Sequence, residues 1–94
     1  MYIDDFIWLP DIVDKLGRKH RVLPEEVEEV FFNRPRYRFM EKGHIMGEDL
    51  YVALGQTDSG RYLGVFFVLK PGNLAPIISA RDMDATERRR YGRK

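Results

Sequence analysis

The spacing of hydrophobic and polar positions changes several times along the chain, and each change marks an element. Phe6-Ile-Trp-Leu9 is a short apolar run closed by Pro10, the pattern of a first strand. Pro10 then stands where a helix begins, because its missing N–H would find no partner there in any case. Asp11 and Asp14 suit the positive end of that helix. Ile12, Val13 and Leu16 make its inner stripe, and Lys19 and His20 extend the stripe at i+3 and i+4 from Leu16. Gly17 weakens the interior, so this helix is expected to be short or bent. Leu23-Pro24-Glu25-Glu26 opens a second helix with carboxylates in its first turn. Val27, Val30 and Phe31 are its apolar face, and Asn33-Arg34-Pro35 ends it.

From Arg36 the period falls to two. Tyr37, Phe39 and Glu41 alternate with Arg38 and Met40, as on an edge strand. Residues 42–49 read as a loop. Leu50, Val52 and Leu54 alternate with Tyr51, Ala53 and Gly55, which predicts a half-buried strand. Asp58-Ser59-Gly60 is a turn. Residues 62–69 are nearly all apolar, as a central strand requires. Pro71-Gly72 fits the middle of a type II turn. A last strand begins near Ala75, and β-branched Ile77 and Ile78 predict cover on both of its faces. Asp84 and Glu87 have capping-box spacing and start a helix carrying Arg88, Arg89, Arg90 and Tyr91. The order is β-α-α-β-β-β-β-α. Three successive hairpins predict an antiparallel meander packed with two N-terminal helices and one C-terminal helix, an α+β domain over residues 1–94.

Composition narrows the class. With 94 residues and 44% hydrophobic content, the chain supports one globular core of modest size. It contains no cysteine, which excludes disulfides and thiolate metal sites. It has no apolar run long enough to span a membrane, and its acidic start lacks a signal peptide's basic region, so a cytoplasmic protein is expected. The net charge of +1 hides segregation. Acids gather at residues 25–29, and bases at 15–21, 34–38 and 81–94. Such segregation gives a basic face; the plainer alternative is a set of ordinary solvated helix faces.

Local motifs exclude several chemistries. There is no phosphate-cradling glycine loop and no nucleophile elbow. His20 and His44 are the only histidines, and no zinc set can be assembled from them. No metal or cofactor is called for. What remains is scattered acid, base and arginine, with Arg81 emerging from a strand end beside a basic helix. That inventory suits RNA cleavage, in which the ribose 2′-OH is the nucleophile and the protein supplies a base, an acid and cations.

Ile77-Ile-Ser-Ala-Arg81, followed by Glu87-Arg88 and Tyr91, resembles the C-terminal signature of BrnT-type toxins of bacterial type II toxin–antitoxin pairs. Lys19-His20-Arg21-Val22, Glu25-Glu26-Val27 and Val30-Phe31 extend the resemblance over nearly the whole chain. It implies a RelE-like fold and a ribonuclease that arrests translation. Trp8, Lys19, His20, Glu48 and Arg81 match positions typical of that family. The resemblance thus implies a catalytic set of Lys19, His20, Glu48 and Arg81. Arg81 would be the fixed cation, His20 the acid or base, Lys19 a phosphate holder, and Glu48 a proton acceptor or the orienter of a base. Lys70, Arg88 and Tyr91 would contact RNA, with Glu87 bracing the site. The implied partner is a BrnA-type ribbon-helix-helix antitoxin, with promoter DNA bound only through it.

Three positions depart from the family pattern: Arg21 replaces a glycine, and Asp49 and Lys70 replace arginines. The last two favour the alternative of a non-catalytic module that binds nucleic acid or protein. Each site residue also has a structural reading. Trp8 belongs to the core with its N–H bonded nearby, His20 is a satisfied semi-buried side chain, and Lys19 and Glu48 are solvated. Arg81 in that reading pairs with Asp82 or Glu87.

Overall fold

Among the described residues, nine elements follow the changes of period. The structure is a computed structural model describing residues 1–45 and 47–92. It runs β1 (Asp5–Ile7), α1 (Pro10–Lys15), a π-helical turn (Leu16–His20), α2 (Pro24–Phe32), β2 (Arg36–Glu41), β3 (Leu50–Gln56), β4 (Tyr62–Val68), β5 (Leu74–Asp82) and α3 (Ala85–Gly92). Met46 in the predicted loop, and Arg93 and Lys94 at the end of the last basic cluster, lie outside the described residues. The strands form one sheet in the order β1-β5-β4-β3-β2. β2 to β5 are the expected antiparallel meander. β1 adds to β5 in parallel, Asp5 to Ile7 beside Leu74 to Pro76, so the sheet is mixed. Parallel pairing needs a long crossover, and the intervening helices belong to it.

Alternation along the strands separates two faces. Ala53, Leu63, Val65, Phe67, Ala75, Ile77 and Ala80 meet Leu16, Val27 and Val30 from the N-terminal helices and Val22 from the link between them, all fully buried. Removing this apolar area from water, at roughly 25 cal/mol per Å², is the main stabilising contribution. Phe6, Phe31, Tyr37 and Tyr51 group with Phe67, with ring centroids 4.9 to 6.2 Å apart. On the opposite face Val52 and Leu54 are buried with Met83 and Tyr91, and Tyr62 and Phe66 pack alongside. That smaller cluster leaves Ile78 outside. Contrary to the expectation of cover on both faces, Ile78 is 41% exposed. The register slips here, with Phe66 opposite Ser79 but Phe67 opposite Ile77, so the bulged strand carries Ile78 outward.

The first helix is short, as Gly17 suggested. It ends at Lys15 and widens into the π turn, which closes with Val22 N–H donating to the Leu16 carbonyl at 3.1 Å. The wider turn shifts the residues after Leu16 off the i+3, i+4 stripe. Lys19 is therefore exposed, not core-facing, while His20 is half-buried. Arg21 follows in the left-handed region, with φ 54° and ψ 43°. This is the position a glycine takes at a helix end, and an L side chain there costs roughly 1–2 kcal/mol. Part of that relief is offset by glycine's freedom in the unfolded chain. Arg21→Gly is expected to stabilise the fold by about 0.5–1 kcal/mol. A urea unfolding midpoint that falls instead of rising would refute the strain argument.

Candidate active site

Strand register sets up three rows on the face that α3 partly covers. Arg36, Leu54, Gly64 and Arg81 stand opposite one another across β2, β3, β4 and β5. Arg38, Val52, Phe66 and Ser79 form the next row. Glu41, Leu50 and Val68 form the third. With strands about 4.8 Å apart, the two arginines of the first row are anchored roughly 14 Å apart. The result is an apolar floor with a guanidinium at either side.

Arg81 is held in a fixed orientation. Its Nη1 donates to Glu87 Oε1 at 2.7 Å and to the Asp82 carbonyl at 3.2 Å, and its Nη2 donates to Glu87 Oε2 at 3.0 Å. Glu87 also completes the predicted capping box. Asp84 N–H donates to Glu87 Oε1 at 2.9 Å, and Glu87 N–H donates to Asp84 Oδ1 at 2.8 Å. One carboxylate thus starts α3 and aims the guanidinium. Gly64 makes room for the pair: a Cβ there would meet Leu54 Cδ2 at 3.4 Å and Glu87 Oε1 at 3.9 Å. The Arg81 guanidinium lies over Phe66, 5.1 Å from the ring centre. Hydrogen bonding to Glu87 raises the Arg81 pKa above its ordinary value, although partial burial opposes this.

The rest of α3 completes this end of the face. Arg88 sits over Tyr62 at 4.2 Å from the ring centre. Tyr91 is buried and meets Tyr62 edge-on at 6.0 Å, so it braces the helix. Arg36 Nη1 donates to the Arg90 carbonyl at 3.2 Å. Arg36, Tyr37, Arg38, Leu54 and Arg90 line a hollow of about 290 Å³.

Glu48 and Lys70 meet at the far end of the same face. Lys70 Nζ lies 3.0 Å from Glu48 Oε1. Together with Ile7, Leu9, Val68, Pro76 and Ile78 they line a hollow of about 370 Å³. Asp49, at a position where the family resemblance implied an arginine, serves its own loop by accepting the Gly43 N–H at 3.0 Å.

Lys19 and His20 come from the layer on the other face. Arg61 anchors the end of their turn. Its Nη2 donates to the His20 carbonyl at 3.0 Å and its Nη1 to the Arg21 carbonyl at 2.8 Å. Its Nη1 also reaches both carboxylate oxygens of Glu26 at 3.3 Å, and its Nε donates to Asp82 Oδ1 at 2.8 Å. Hydrogen bonding to Arg61 holds the Asp82 carboxyl below its ordinary range, with a smaller pull from His20. His20 therefore lies within electrostatic reach of the residue next to Arg81. Consecutive strand residues face opposite ways, so Arg81 and His20 approach the end of β5 from opposite sides. Trp8 packs against the main core and donates Nε1–H to Glu28 at 3.0 Å.

The structure thus gathers Arg81, Glu87, Arg88 and Tyr91 in one group, Glu48 and Lys70 in a second, and Lys19 and His20 in a third. Sequence reasoning did not single out Arg36, Arg38, Arg61, Phe66 and Ile78 as site residues. Pairing the alternating β2 positions with those of β3 would have found the two β2 arginines. Arg61 carries no local signal, because its side-chain partners come from three separate segments.

Residues 8–87 match the family described as ribonuclease toxin, BrnT, of type II toxin–antitoxin system. The chain belongs to the BrnT family. No curated protein matches it significantly. Lys19, His20, Glu48, Lys70 and Arg81 fall inside the matched stretch, while Arg88 and Tyr91 lie just beyond it. Membership makes the chain a type II toxin of ribonuclease type, and a BrnT toxin implies an antitoxin as its partner. Among the described residues no group of three or more His, Cys, Asp or Glu is placed to hold a metal ion. No described helix is long and apolar enough to cross a membrane.

Proposed function

We propose that this BrnT-family toxin cleaves RNA on the α3-bearing face without a metal ion, through attack of the ribose 2′-OH on the adjacent phosphate. The Arg81 fork carries this reading. Of its five N–H groups, three are engaged by Glu87 and the Asp82 carbonyl, which leaves the Nε–H and one Nη2–H toward a ligand. A guanidinium already held in place stabilises charge building on phosphoryl oxygens without reorganising during the reaction. β1 pairs only with Leu74 to Pro76, so the later part of β5 has a free edge among the described residues. RNA crossing that edge brings a phosphate at Arg81 toward His20 and Lys19. An imidazole is suited to take the 2′-OH proton or return one to the leaving 5′-oxygen, and an ammonium to hold the phosphate. Glu48, paired with Lys70 at the far end of the face, orients the bound RNA and takes no proton at the phosphate held by Arg81. Lys70 and Arg88 contact the RNA, and Tyr91 braces the helix that carries Arg88. A BrnA-like ribbon-helix-helix antitoxin covers this face in the cytoplasm and is the chain's only route to promoter DNA.

The test is purified toxin, freed of antitoxin, incubated with total RNA in excess chelator. Expected products carry 2′,3′-cyclic phosphate ends. Intact RNA at high protein concentration would overturn the catalytic reading, and cleavage abolished by the chelator would overturn its metal independence. The Arg81–Glu87 and Lys70–Glu48 pairs also favour a second reading, because they neutralise two cations of the face. In that reading the chain retains RNA or protein and leaves RNA whole.

A further inference from the structure

We propose that the hollow of about 370 Å³ at the β1 end of the face is a nucleobase subsite that prefers guanine, an inference that rests on the RNA-cleaving reading above. Its volume falls in the roughly 300–1,000 Å³ range of small-molecule sites. Its walls are Ile7, Val68, Pro76 and Ile78, contributed by three adjacent strands. A planar base laid on this wall covers apolar surface that the bulge turns outward. The polar lining is one ion pair, Glu48 with Lys70, at 3.0 Å. Lys70 engages Oε1, and Oε2 is the second acceptor.

Among the four RNA bases, guanine alone presents two adjacent N–H donors, N1–H and N2–H, beside an acceptor carbonyl. The donors match the carboxylate and the carbonyl matches the ammonium. Other bases offer at most one donor position to the same carboxylate.

Two further observations support a built site. The loop backing Glu48 is closed on itself, since a Cβ at Gly43 would collide with the Glu48 carbonyl. The Gly43 N–H is tied to Asp49, the residue after Glu48, at 3.0 Å. The hollow also lies at the right reach. Ile78 is three residues before Arg81 on β5, about 10 Å along the strand. That distance is comparable to the span from a phosphate to the far edge of a neighbouring base. In this arrangement Arg81 meets the phosphate and the hollow reads a nearby base.

The experiment is a methyl NMR titration of the folded toxin with 5′-GMP, 5′-IMP and 5′-CMP, which needs no cleavage. GMP is expected to shift the Leu9, Val68 and Ile78 methyl signals. IMP lacks the 2-amino group and is expected to bind about tenfold more weakly, the loss of one hydrogen bond to a charged acceptor. Glu48→Gln should erase the GMP–IMP gap. Ile78→Trp, at an exposed position that leaves folding intact, should fill the hollow and abolish the GMP shifts, while Ile78→Val should retain them. Unmoved methyls at millimolar GMP, or equal binding of GMP and IMP, would overturn the subsite. If the protein cuts RNA but ignores GMP, the subsite alone fails. If GMP binds and RNA stays whole, the catalytic reading fails and the subsite stands.

Discussion

Arg81→Ala is expected to slow RNA cleavage by about 10²–10³-fold, the loss that follows removal of one preorganised donor to transition-state charge. The effect is large because Glu87 holds the fork in place before substrate arrives, with both carboxylate oxygens bonded to it. Arg81→Lys keeps the charge and loses the planar fork, so it should recover only part of the rate. The structural cost is smaller, about 1–2 kcal/mol, because Glu87 keeps its capping bonds to Asp84. Single-turnover cleavage of an RNA oligonucleotide beside thermal melting separates the two effects. Unchanged cleavage would place the transition-state charge elsewhere. A collapse of the fold with antitoxin binding lost would make Arg81 a purely structural residue.

Arg61→Ala should destabilise the fold more than any other single change on the polar surface, by about 2–4 kcal/mol. Its guanidinium bonds two carboxylates and two backbone carbonyls from the π turn, the start of α2 and the end of β5. Removing it takes a donor from all four acceptors at once, of which only the exposed Asp82 returns freely to water. The pH dependence carries a signature. Asp82 titrates below its ordinary value of 3.8 because of Arg61, so the pair contributes stability above that value and loses it as pH falls through the depressed pKa. Asp82 is 67% exposed, so screening keeps this acid-side contribution small. Urea unfolding from neutral pH down into the acid range should show the extra acid loss in wild type and a flatter acid limb in Arg61→Ala. Identical limbs would remove Asp82 from the account. Because Arg61 fixes the His20 and Arg21 carbonyls, the variant should also lose cleavage, with Arg61→Lys restoring stability only partly.

Elements written in local pattern were legible in the sequence. The period-two stretch from Arg36, the apolar run of β4 and the Asp84–Glu87 spacing each became what they predicted. Gly17 correctly forecast a short first helix. Its form as a π turn was hidden, because one extra residue in a turn leaves apolar spacing nearly unchanged while rotating Lys19 outward. Ile78 was misread for a related reason: two β-branched residues in a row look like a strand buried on both sides, and only the cross-strand slip opposite Phe66 and Phe67 exposes one of them. The site was legible as a set of residue types and illegible as a constellation. Arg36 and Arg81 share a row only through three strand registers, each a tertiary fact. Arg61 joins segments up to forty-one residues away, and no window along the chain contains them.

The parallel pairing of β1 with Leu74 to Pro76 has a bearing on how the toxin is made. Of the described strands, β1 is made first and its one neighbour, β5, is made last. Until β5 emerges, Asp5 to Ile7 have no ladder to join. A nascent chain therefore cannot complete this sheet until β5 has emerged, and Arg81 lies on that same strand. Synthesis order thus ties completion of the sheet to the arrival of the strand that carries Arg81.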